Sequence, residues 1–155
     1  MEKESKYEKV EAEIYAVCSG ENNVIANMAS ISCLLNQAFD NFYWVGFYIV
    51  DLANKGELVV GPYQGTLGCL RISYERGVCG AAATSGLTQI VDDVDKFPGH
   101  IACDSKTRSE IVVPVYNYEN QLIAVCDVDS IETSTFDAVD QLWLEKILKT
   151  VFTDT

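Results

Sequence analysis

The stretch "EIVVPVYNYENQLIAVCDVD", Glu110 to Asp129, decides the fold. Two apolar, β-branched runs flank the polar "NYEN" of Asn117–Asn120, which reads as two strands joined by a hairpin-like turn. Both runs are bounded by turn residues and are short for a helix. A glutamate, Glu110, opens the first run, and Asp127 and Asp129 close the second. Side chains alternate along a strand, so the two aspartates share one face. If the strands are neighbours in one sheet, the three acids converge.

Upstream, "YWVGFYIV" and "GELVVGPY", separated by the turn-like "ANKG", also read as strands, followed by "CLRISY" and the short "LTQIV". The small residues of "GVCGAAATSG" suit a short, closely packed helix between the last two. Tyr7, Val10, Ile14 and Val17 recur at helical spacing until "CSGENN" breaks the run. Val24, Ile25, Met28, Ile31, Leu34, Leu35 and Phe39 mark a second amphipathic helix. Phe136, Val139, Leu142, Trp143, Ile147, Leu148 and Val151 mark a last one, with Ser134 or Thr135 expected as its cap. The order α-α-β-β-β-α-β-β-β-α has too few crossover helices for a doubly wound parallel sheet. It predicts an α+β fold with a largely antiparallel sheet of five or six strands and helices packed on it. No repeat or linker interrupts the chain, so residues 1–155 are expected to form a single domain.

Composition excludes several function classes. Eleven basic residues against 23 acidic ones give a net charge of −12, which repels phosphate backbones and anionic lipid. Nucleic acid and membrane are therefore not expected as partners. No run approaches the roughly 18 apolar residues of a membrane span, and "MEKESKYEKVEAE" lacks the apolar segment of an export signal. A cytoplasmic protein is expected. Its six cysteines, at 18, 33, 69, 79, 103 and 126, form no CxxC pair, so neither a zinc ribbon nor a thioredoxin-type motif is present. In a reducing compartment they are expected to be a mixture of buried, inert thiols and reactive ones.

The long connection from Asp92 to Arg108 holds the sole histidine, His100, with Cys103, Lys106 and Arg108. Connections of that length in a small domain are often functional. Cys103 reads either as a small buried side chain or as a nucleophile whose thiolate its positive neighbours stabilise. Cys69 and Cys79 also fall at element edges, whereas Cys18, Cys33 and Cys126 fall inside elements where packing is the expected role. Glu110, Asp127 and Asp129 read either as solvated strand-end acids or as a cluster that binds an ammonium or shares a proton. Trp44 and Tyr48 share one strand face, as core or as the wall of a pocket. His100 and Cys103 make at most half a metal site, so no metal and no other cofactor is expected.

The segments "YWVGFYIV", "GPYQGTLGCLRISYERGVCGAAA", "DVDKFPGHIACDSKTRSEIVVPV" and "CDVDS" together resemble the free methionine-(R)-sulfoxide reductases, enzymes built on a GAF domain. The resemblance runs from about Asn23 to Leu148, and the set "RGVCG", "GHIACD", "SEIV", "DVDS" is specific. It implies a GAF-like domain in which Cys103 attacks the sulfoxide sulfur and becomes a sulfenic acid. Cys69 then matches the resolving cysteine, and Cys79 a third redox cysteine in a supporting or alternative role. Glu110, Asp127 and Asp129 match the acids that hold the substrate's ammonium and sulfoxide; Trp44 and Tyr48 match the aromatics at its methyl end. Thioredoxin or a similar dithiol would recycle the disulfide, and a homodimer is implied. The chemistry agrees: a sulfoxide oxygen leaves only when protonated, which a neutral carboxylic acid provides, either Glu110 or Asp129. A free amino acid is implied because acids that bind an α-ammonium reject a residue whose nitrogen is an amide. Two residues depart from the pattern: Asp95, where His or Asn is more usual, and Cys126, where an apolar residue is usual and whose thiol is expected to point to the opposite face from Asp127. The alternatives are a non-catalytic GAF ligand-binding module and a cysteine redox sensor.

Overall fold

The structure, a computed structural model, describes residues 2–101 and 103–154. Its centre is a six-stranded sheet: β1 (Trp44–Val50), β2 (Glu57–Gln64), β3 (Arg71–Ser73), β4 (Gln89–Val91), β5 (Ser109–Tyr116) and β6 (Leu122–Ser130). The spatial order is β3-β2-β1-β6-β5-β4, with every neighbouring pair antiparallel. The β5–β6 hairpin forms as its sequence predicts. The Asn117 carboxamide oxygen accepts from the amides of Glu119 and Gln121, and Asn120 takes the left-handed backbone (φ 63°) that asparagine tolerates.

Three helices cover one face: α1 (Glu2–Cys18), α2 (Val24–Ala38) and, after the short α3 (Gly77–Ser85), α4 (Ala138–Leu148), which runs on into a π turn at Lys149–Thr153. Tyr7, Val10, Ile14, Met28, Ile31, Leu35, Leu144 and Ile147 pack there against Val45, Phe47, Ile111, Val113, Val115, Ala124, Cys126 and Val128. Full burial of each large apolar side chain contributes about 1.5–3 kcal/mol, so this layer is the main source of stability. Four residues of the expected stripes face water instead: Val17, Val24, Ile25 and Leu142. The inward place after Ile14 is taken one residue later, by Cys18, the i+4 position on the same helical face.

The α4 cap also differs from expectation. Asp137, not Ser134 or Thr135, accepts from the amides of Val139 and Asp140, and the Asp140 carboxylate accepts from the Asp137 amide to close a capping box. Ser134 is held in a left-handed turn (φ 56°), and the Thr135 hydroxyl binds Ser130 and the Glu132 carbonyl, so neither is free to cap.

Among the described residues the opposite face carries one short α-helix, α3 (Gly77–Ser85), whose small residues let it lie close to the sheet, and a 3-10 turn at Val94–Lys96. Val78, Cys79 and Ala82 pack there with Trp44, Tyr48, Val112 and Val125. Gly77 starts α3 at φ +70°, and a side chain there would press on Ile101 of the long connection. Because α3 covers only part of this face, a cleft remains beside it. Among the described residues no helix is long and apolar enough to cross a membrane.

Candidate active site

Sheet register builds the floor of the cleft. Trp44 of β1 stands opposite Asp129 of β6, which stands opposite Glu110 of β5, so one row crosses three strands. In the next row Gly46 stands opposite Asp127. Alternation puts Trp44, Tyr48, Glu110, Asp127 and Asp129 on the α3 side. The convergence that the sequence left conditional on strand pairing is therefore realised. Together with Cys79, His100 and Cys103 they line a cleft of about 490 Å³, its open mouth included.

The aromatic wall is a stack. The Trp44 ring lies 5.5 Å from Tyr48 and 5.0 Å from Tyr63, nearly parallel to both. The Trp44 indole N–H donates to the Thr66 carbonyl (2.9 Å), which fixes both the ring and the loop after β2. Gly68 of that loop lies so close that a side chain would meet the Trp44 ring and the Tyr48 hydroxyl. Burial, then the charge of Asp127, pushes the Tyr48 hydroxyl pKa far up, so it remains a phenol.

The acids lie in a dry setting. Glu110 and Asp127 are buried, 6% and 4% exposed, and Asp129 is partly buried. Burial first, then the neighbouring carboxylates, pushes all three well above the usual carboxylate range. The three titrate as a coupled set rather than singly. One oxygen each of Asp127 and Asp129 is buried without a hydrogen-bond partner. His100 Nε2 lies 3.7 Å from Glu110 Oε1. Burial pulls the imidazole pKa down, against the pull of Asp95, and pushes that of Glu110 up, so both shifts work against an ion pair here.

Cys69 precedes β3 rather than opening it, and it forms a disulfide with Cys103 (Cα–Cα 5.3 Å) at the mouth of the cleft. The sequence marked both cysteines at element edges; their pairing it gave only through resemblance. Cys79 stays a free, buried thiol deeper in the cleft, where burial and then Asp127 hold its pKa well up. Cys126 points to the helix-covered face, away from Asp127, as expected. Cys18 is also buried, and Cys33 partly so.

Among the described residues the donors that could hold a metal are Cys79, Glu110 and Asp127, whose ligand atoms lie within 4.8 Å of one another. All three would have to lose protons that burial holds in place. The pairing of His100 with Cys103 as a half-site does not form, because Cys103 is joined to Cys69. Sequence reading missed Tyr63 and Gly68, which act through contacts between elements distant in the chain. The only local trace of them was the run "GPYQGTLG".

The profile of the GAF domain matches residues 24–151, and the chain is a GAF domain. It is 50% identical over 147 residues to GAF domain-containing protein A of Dictyostelium discoideum, covering 95% of this chain and 90% of that one. It is 37% identical over 155 residues to the free methionine-R-sulfoxide reductase of Saccharomyces cerevisiae, covering 97% of this chain and 86% of that one. The crystal structure of the free methionine-R-sulfoxide reductase of Neisseria meningitidis with its substrate superposes with a TM-score of 0.91 at 44% identity, covering 96% and 87% of the two chains. Within the GAF domains, the chain belongs to the family of free methionine-R-sulfoxide reductases.

Proposed function

We propose that the protein reduces free L-methionine-(R)-sulfoxide to methionine with its own thiols. The observation that carries this is the Cys69–Cys103 disulfide at the mouth of a cleft floored by three buried acids and walled by Trp44 and Tyr48. Relatives and structural neighbours named for this activity support it.

The substrate's two ends differ in chemistry, and so do the two sides of the cleft. The methyl and methylene groups lie against the Trp44–Tyr48 stack. The ammonium goes to the unpartnered oxygens of Asp127 and Asp129, whose desolvation it offsets by drawing one carboxyl into its ionised form. Cys103 attacks the sulfoxide sulfur. A carboxyl proton, from the facing pair Glu110 and Asp129, passes to the sulfoxide oxygen. Oxygen moves from the substrate to Cys103, which becomes a sulfenic acid, while methionine leaves as the thioether. The Cys69 thiol then attacks the Cys103 sulfur, the S–O bond breaks, water leaves, and the disulfide forms. Cys79, a buried and protonated thiol beside Asp127, is a reserve resolving group. A dithiol such as thioredoxin returns both cysteines to thiols, which places the protein in a reducing cytoplasm. The homodimer implied by family resemblance completes this reading.

The test is consumption of resolved R and S epimers of free methionine sulfoxide by the reduced protein with excess dithiol. Loss of the R epimer alone, reduced at least about 10³-fold in Cys103→Ser, is the expected result. Neither epimer consumed by wild type would overturn the reading in favour of a ligand-binding or redox-sensing domain.

A further inference from the structure

The two cysteines come from loops that the sheet does not bring together. Cys69 follows β2 and Cys103 precedes β5, and in the sheet β1 and β6 lie between those strands. When the disulfide is reduced, something else must hold the loops in register, and the structure contains a link suited to that task. One oxygen of Asp104, next to Cys103, accepts from the Thr66 hydroxyl (2.6 Å) and from the Tyr43 hydroxyl (2.8 Å). Its other oxygen accepts from the Lys106 amide (2.9 Å), which fixes the carboxylate within its own loop. Thr66 belongs to the Cys69 loop, and Tyr43 stands directly before β1, its amide donating to the Asp129 carbonyl. Hydrogen bonds from Thr66, then the Lys106 amide and Tyr43, hold the Asp104 carboxyl below its ordinary range, so it is ionised and its bonds are charge-assisted. The Trp44 indole holds the carbonyl of the same Thr66, so that residue is gripped from both sides.

We propose that Asp104 is the positioning residue of the resolving step, its carboxylate clasping Thr66 and Tyr43 so that Cys69 stays within reach of a Cys103 sulfenic acid. This deepens the reductase reading and rests on it for the source of the sulfenic acid. Asp104 also lines the cleft, and in this role it acts through Thr66 and Tyr43. It raises the effective concentration of one thiol at the other, and its loss lets the Cys69 loop move away.

The experiment is a rapid-quench single turnover of fully reduced protein with the R epimer. Methionine release and disulfide formation are followed separately, and the sulfenic acid is trapped with dimedone. In Thr66→Val, methionine is released at the wild-type rate, disulfide formation slows about tenfold, and the dimedone adduct on Cys103 rises. Asp104→Asn slows the disulfide step further, and adding Tyr43→Phe to it has little further effect. Urea unfolding of each variant confirms the folded state. Disulfide formation at the wild-type rate in both Thr66→Val and Asp104→Asn overturns the proposal, as does equal slowing of both steps in Thr66→Val. If wild type releases no methionine, the reductase reading fails instead. The clasp is then read from disulfide formation after hydrogen peroxide oxidises Cys103 to the same sulfenic acid, with the same two outcomes.

Discussion

Two buried aspartates, Asp140 under the helices and Asp127 in the cleft, are 0% and 4% exposed yet live in opposite circumstances. Both oxygens of Asp140 are in use. One accepts from the Tyr7 hydroxyl (2.6 Å); the other accepts from Lys3 Nζ (2.7 Å) and from the Asp137 amide (2.8 Å). The residue ties α1 to the start of α4, and Lys3 in turn is held above its ordinary pKa by Asp140 although burial opposes its charge. Asp127 has a buried oxygen with no partner, and its pKa is driven up. A buried polar group that is fully bonded rigidifies a fold, whereas one left open costs stability and marks a place where a ligand supplies the missing partner. Burial alone does not separate a structural acid from a functional one; the state of its lone pairs does.

Exchanging carboxylate for carboxamide at each position is the largest way to break this contrast. Asp140→Asn puts an amide N–H₂ where Lys3 and the Asp137 amide donate, and is expected to cost about 1–3 kcal/mol in urea unfolding. Its KM for the R epimer should stay within about twofold of wild type, since no part of the network enters the cleft. Asp127→Asn should do the reverse: unfolding stability unchanged or raised by up to about 1 kcal/mol, with kcat/KM down about 10²-fold. A loss of stability in Asp127→Asn comparable with that in Asp140→Asn would remove the distinction.

pH sharpens the same contrast. An acid whose pKa is raised on folding binds more protons folded than unfolded between the two pKa values, so stability falls as pH rises through that window. For Glu110, Asp127 and Asp129 the window opens near the ordinary carboxylate value of about 4 and extends well above it. Unfolding free energy should therefore decline from pH 5 to pH 8 in the substrate-free protein, and the slope should flatten in Asp127→Asn. On the proposed mechanism activity should fall on the alkaline limb as well, because the carboxyl assigned to protonate the sulfoxide oxygen would lose its proton there. A stability curve flat over that range in wild type, and identical in the variant, would show that the acids are ordinary.

What the sequence disclosed follows the same divide between local and distant causes. The β5–β6 hairpin was legible because alternation, β-branched content and the "NYEN" turn all lie within one stretch, Glu110–Asp129. The shared face of Asp127 and Asp129 was legible for the same reason; their meeting with Glu110 and Trp44 waited on strand order. The α4 cap was misplaced because Ser134 and Thr135 are engaged by Asp92, Ser130 and Glu132, partners far from the helix start or outside it. Asp104 was visible as a letter in "GHIACD", but its partners lie 38 and 61 residues away, and no local pattern marks such a clasp. Family resemblance carried the disulfide pairing, which spacing alone left open.

The smallest effect tests the back of the sheet. Cys126 is one residue from Asp127, yet alternation sends its thiol into the helix-covered core, 0% exposed, where burial and then Asp127 push its pKa far up. Such a thiol is protonated, dry and separated from the cleft by the sheet itself, so it has neither the thiolate nor the path to join the redox cycle. Cys126→Ala should cost about 1 kcal/mol from the small cavity it leaves, with turnover and disulfide formation unchanged. A sizeable drop in turnover in this variant, or Cys126 recovered in a disulfide after single turnover, would mean that the two faces communicate. The cysteine would then belong with Asp127 on the functional side of the comparison, and the sheet would not insulate the site. The stacked order of β1, β6 and β5 and their continuous pairing at this point argue for insulation.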